Sequence, residues 1–114
     1  MKRFELTRSL FGAEITAEVL CLEQGIRVSL YGGEVPHIGA VSVVSPEGAL
    51  TTHQFPGHKE GVVSETWAAA LSGAGFRPVV VEAGIHYDHL SREGIAAVVN
   101  ASNQMLAEAL NRLP

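Results

Sequence analysis

Residues 31–41 read Tyr31-Gly32-Gly33-Glu34-Val35-Pro36-His37-Ile38-Gly39-Ala40-Val41, between two runs with strand-like alternation. A hairpin would need only a short polar turn there. Instead the stretch holds Gly32, Gly33 and Gly39, with Pro36 and His37. Glycine permits positive φ or the close approach of another group to bare peptide. Pro36 fixes its own φ and pushes Val35 toward extended geometry, so the segment should be stiff. Backbone N–H groups beside one imidazole suit an anion or the polar edge of a flat ring. Turn chemistry alone also explains glycine and proline, with His37 merely bonded to backbone.

Two more stretches carry comparable chemistry. In Phe55-Pro56-Gly57-His58-Lys59-Glu60-Gly61, a helix should begin near His58. Free N–H groups at a helix start attract anions, and Lys59 adds a positive charge; a solvated Lys–Glu helix start explains the same residues. In Gly84-Ile85-His86-Tyr87-Asp88-His89-Leu90-Ser91-Arg92, His86 and Asp88 share one strand face. Arg92 falls in the first turn of a helix, where it opposes the dipole, which suggests a ligand's negative charge. His86, Asp88, His89 and one further histidine could hold a metal, yet no HExxH or paired-cysteine spacing is present. Gly-x-Ser-x-Gly is missing, as are the Walker and Rossmann glycine patterns. What remains is a binding set, Gly32, Gly33, Pro36, His37, Gly39, His58, Lys59, His86 and Arg92. It fits a flat heteroaromatic bearing a phosphate better than it fits a catalytic engine.

These residues must be placed by the elements between them. Lys2–Leu10 and Ala13–Glu23 read as strands joined by a tight Phe11-Gly12 turn. Ile15, Ala17, Val19 and Cys21 alternate with Glu14, Thr16 and Glu18, the period of a half-buried sheet. Ile26–Leu30 continues the pattern. Ile38–Val44 is rich in β-branched residues and reads as a central strand. Ser45-Pro46-Glu47-Gly48 is a turn, and Ala49–Phe55 returns. This predicts an antiparallel meander of five strands.

From His58 to Ala74, Val63, Trp67, Ala70, Leu71 and Ala74 repeat at three and four, so a helix follows, with Ser64 as an alternative cap. Arg77–Ile85 is a sixth strand whose Val79-Val80-Val81 run implies burial on both faces. Ser91 caps a long helix to Leu113. Along it Ile95, Val99, Ser102, Leu106, Ala109 and Leu113 make one apolar seam, and Val98, Ala101 and Met105 a second. Two stripes are more than one sheet face usually covers. The fold class is α+β, a mostly antiparallel six-stranded sheet with two helices on one side.

The chain has 114 residues, 46% of them hydrophobic and 18% charged, and reads as one domain, 1–114, with a real core. Its low charge leaves apolar surface to hide, which favours a homodimer. Net charge is −4, and the eight Lys plus Arg are spread along the chain with no cluster larger than Lys2-Arg3, so no nucleic-acid partner is expected. Apolar runs are too short for a membrane span, and Met1–Glu5 lacks a signal core. Cys21 alone suits a reducing cytoplasm and reads as a buried thiol.

Gly32 to Val41, with Pro-His-Ile-Gly at its centre, resembles the signature of the prenylated-flavin chaperones of the LpdD type, small proteins associated with gallate decarboxylase. His58-Lys59 and Gly84-Ile85-His86 are also similar to that family's pattern, and the order of elements agrees. The resemblance implies a dimer, with protomers similar in fold to proteasome-assembly chaperones. It further implies that reduced prenylated FMN is bound as cargo and delivered to a UbiD-type decarboxylase, with no chemical step on a substrate. On the residues' own chemistry, amides around Gly32, Gly33 and Gly39 and the His37 ring would meet the flavin. His58, Lys59 or Arg92 would neutralise its phosphate. Competing readings are a ligand-free assembly component of a decarboxylase complex and a small histidine-dependent metal enzyme.

Overall fold

The computed structural model describes residues 1–57 and 60–114. Its elements are β1 (Lys2–Leu10), β2 (Ala13–Cys21), β3 (Ile26–Gly33), β4 (Ala40–Val44), β5 (Leu50–Gln54), α1 (Gly61–Gly73), β6 (Val79–His86) and α2 (Arg92–Arg112). Alternation turns one face of the sheet inward, and cross-strand partners keep it continuous: Val19 pairs with Val28, and Val28 with Val81. Trp67, Leu71, Met105 and Ala109 pack on that face, so both helices cover the same side. The α+β class and the helix placement agree with the sequence reading.

The topology does not follow a five-strand meander. Strand order is β1-β2-β3-β6-β4-β5, with β3 and β6 parallel and the other neighbours antiparallel. The sheet is therefore mixed. The reason lies in the Val79-Val80-Val81 run. Val79 and Val81 are fully buried and Val80 half-buried, so β6 gains most between two neighbours. Its insertion separates β3 from β4, and the chain from Glu34 to Gly39 crosses the end of β6 instead of turning back.

β3 consequently runs on to Gly33, and β4 starts at Ala40, leaving Ile38 exposed. β2 ends at Cys21, which is buried and free. The turn after β1 forms as expected, with Phe11 and Gly12 at φ 52° and 80°. Ser91 caps α2, its hydroxyl accepting from the Gly94 N–H at 3.0 Å. α1 has Glu60 at its N-cap with no side-chain cap bond. Ser64 lies a turn inside it, buried. There Ser64 Oγ donates to the Gly61 carbonyl at 3.1 Å, so Ser42, 2.7 Å away, donates to Ser64; Thr52 lies 2.8 Å from Ser42. That chain of hydroxyls satisfies polar groups under α1. No helix among the described residues is long and apolar enough to cross a membrane.

Candidate functional site

β6 delivers Ala83, Ile85 and His86 to one end of the helix layer, where α1 and α2 part. The gap is a cleft of about 510 Å³. Val62, Val63 and Thr66 line it from α1, and Ile95, Val98, Val99, Ser102 and Asn103 from α2. Glu60, His86 and Tyr87 supply polar groups, with Gly57 and Leu90 completing the wall. Val62, Ile95 and Val99 are 74%, 55% and 43% exposed, an unusual concentration of open apolar surface on two helices. Size and lining match a small-molecule site, largely apolar with a few placed polar atoms.

The polar groups are fixed by their neighbours. His86 Nε2 lies 2.8 Å from Asp88 Oδ1, at the strand end where both share a side. That hydrogen bond, then Glu34, holds the Asp88 carboxyl below its ordinary range. Tyr87 is buried; its hydroxyl donates to the Ala13 carbonyl at 2.9 Å, and Phe11 meets its ring edge-on. Burial first, then the charge of Glu34, raises its pKa. Trp67, behind the cleft, donates its indole N–H to Ser102 Oγ at 2.9 Å.

The glycine corner stands beside this cleft, largely on the sheet's other face. Pro36, His37 and Ile38 line a separate hollow of about 380 Å³, together with Glu18, Arg27, Ser29 and Tyr31. His37 Nδ1 lies 2.9 Å from the Val35 carbonyl, and its Nε2 lies 2.7 Å from Glu60 Oε1. Glu60 thus ties the corner to the cleft wall.

The glycines admit the protein's own groups. A Cβ at Gly33 would stand 2.2 Å from the His86 carbonyl oxygen, one at Gly39 2.3 Å from the Glu60 carboxylate, and one at Gly84 1.7 Å from the His37 carbonyl oxygen. At Gly32 it would stand 2.2 Å from the Glu14 carbonyl oxygen. Nearby amides are engaged as well. Glu34 N–H donates to His86 O at 2.7 Å, His37 N–H to Gly84 O at 3.4 Å and Gly39 N–H to Ala83 O at 2.8 Å.

Of the residues singled out from sequence, His86 lines the cleft. Pro36 and His37 line the other hollow, while Gly32, Gly33 and Gly39 build the crossing between the two. Arg92 is the exposed first residue of α2. His58 and Lys59 lie outside the described residues. Glu60, Tyr87 and Val62 were not singled out from the sequence, and Ile95 and Val99 read there as part of a packing seam rather than a site. The signal for those two was that α2 carries more apolar surface, in two stripes, than one sheet face usually covers. Among the described residues no group of three or more His, Cys, Asp or Glu converges as a metal site.

A helix-roofed mixed sheet with an apolar cleft, polar at one mouth, defines an α+β domain built around a preformed pocket. The chain matches the family model of the prenylated flavin chaperone LpdD-like domain over residues 10–114, and it belongs to that family. No curated protein matches it.

Proposed function

We propose that the chain carries reduced prenylated FMN in the cleft between α1 and α2 and hands it to a UbiD-type decarboxylase, with no reaction of its own. The observation that carries this reading is the cleft itself. It holds roughly the volume typical of cofactor sites, and its walls are aliphatic on both helices. An aliphatic slot shields an oxygen-sensitive ring from solvent.

The donor set fits such a cargo. Apolar side chains of Val62, Ile95, Val98 and Val99 suit the ring and its isoprenoid-derived portion. His86 and Glu60 at the polar mouth suit the heteroatom edge. No described residue lining the cleft is Lys or Arg. The phosphate would therefore call on His58 and Lys59, which precede Glu60 in sequence, or on Arg92 at the start of α2. In this reading Gly32, Gly33, Pro36, His37 and Gly39 hold the corner against Glu60 and β6, and serve the cargo through that wall. The low charge content supports a homodimer, and the single free cysteine supports a reducing, cytoplasmic setting.

The deciding experiment is anaerobic calorimetric titration with prenylated and plain FMN, each oxidised and reduced. Tight binding of the reduced prenylated form, weakened by His86→Ala, is the expected result. Turnover of aromatic acids by this chain alone, or equal affinity for every flavin, would overturn the reading.

A further inference from the structure

The two edges of the sheet are finished differently. β1 carries Lys2, Arg3, Glu5 and Arg8, and α2 reaches over it: Lys2 Nζ donates to the Arg112 carbonyl, and Arg8 pairs with Glu108. Charge and a covering element are the usual protections of a strand edge. β5, Leu50-Thr51-Thr52-His53-Gln54, has neither lysine nor arginine nor carboxylate, no proline, and an unbroken register on β4. Exposed Val43, Leu50 and Phe55 lie on or beside it.

The peptide groups of β5 are sorted by the ladder. Ser45 N–H donates to Ala49 O and Phe55 N–H to Gly39 O, both at 2.9 Å, flanking the paired segment. Antiparallel alternation then turns the peptides of Thr51 and His53 toward β4, and those of Leu50, Thr52 and Gln54 toward the edge. Among the described residues none bonds to those outward backbone groups. They are spaced symmetrically about Thr52.

We propose that β5 is the surface through which two copies of this chain join, antiparallel about a twofold axis at Thr52, into one continuous sheet. In that register Thr52 pairs with its own counterpart, and Leu50 pairs with Gln54 of the second copy. Every outward N–H and carbonyl of the strand is satisfied. On the open face Thr51 meets His53 of the second copy, and no like charges are forced together. The interface also covers Leu50 and Phe55, an apolar contribution that a solvated edge would lack.

The test is light-scattering mass across a dilution series, with amide hydrogen exchange on the same samples. Wild type should be dimeric at micromolar concentration, with slow exchange at Leu50, Thr52 and Gln54 that speeds up on dilution. Thr51→Lys/His53→Lys alters exposed side chains only and sets ammonium opposite ammonium at both ends of the ladder. It should raise the dimer dissociation constant at least about tenfold. Thr51→Lys/His53→Glu sets opposite charges there and should restore the dimer. A wild-type monomer, fast exchange at those amides within a dimer, or a double-lysine variant as dimeric as wild type would each overturn the proposal. The exchange measurement on wild type decides the matter even if the variants fold poorly.

Discussion

The two halves of the gap between α1 and α2 are built from the same apolar stripes and end in opposite states. At one end Trp67, Leu71, Met105 and Ala109 are wholly buried, and Ser102 takes the indole N–H. At the other, Val62, Ile95 and Val99 stand open to water around the cleft. Each Å² of apolar surface left wet forgoes roughly 25 cal/mol of burial, so the open end gives up stability that the closed end collects. A helix seam that is closed for half its length and open for the rest separates the part that folds the chain from the part that the proposed function assigns to a ligand. Substitutions at the two ends should accordingly fail in different ways.

The largest effect on folding belongs to the closed end. Trp67→Ala should cost about 3–5 kcal/mol in urea denaturation, the range for truncating a buried large aromatic. A loss no larger than that of a surface substitution would mean that the helix layer is not sealed there. Ser102 sits on the boundary, among the residues that line the cleft, and its hydroxyl accepts from Trp67. Ser102→Ala strands the indole N–H and should cost about 1–3 kcal/mol. Val99→Asp, at the open end, should move stability by no more than about 0.5 kcal/mol while lowering affinity for reduced prenylated FMN more than tenfold. If Val99→Asp instead unfolds the chain, the two ends are one core and the contrast collapses.

How much of this was legible beforehand follows the range of the interactions involved. The Phe11-Gly12 turn, the Ser91 cap and the buried faces of β2 and β3 rest on a few neighbouring residues, and the sequence carried all of them. The insertion of β6 between β3 and β4 did not show, because pairing over such separations leaves no local period. Only the burial implied by Val79–Val81 hinted at it. That insertion also changed the meaning of the glycines. Gly33 was legible as a place of close approach, but the approaching group is the His86 carbonyl. The cleft was half-written in α2, whose two stripes together exceeded what one sheet face usually covers. Its matching wall on α1 had no such excess, and Glu60 read only as part of a charged helix start.

The smallest expected effect lies at the cleft mouth and carries a sign. The Asp88 carboxyl is held below its ordinary value of 3.8, first by its hydrogen bond with His86 and then by Glu34. A carboxyl with a depressed folded-state pKa stabilises the fold above the unfolded value, and that contribution disappears as pH falls through the folded one. The relevant window therefore lies below about pH 3.8. Asp88 is solvent-exposed, so the magnitude is small. Melting wild type and Asp88→Asn from pH 7 downward should give a constant small gap in Tm that closes only in strong acid. A gap that opened in acid would reverse the sign and remove the His86–Asp88 bond as its source. A gap as large as that of Ser102→Ala would make the mouth part of the folding core, against the division on which the cleft depends.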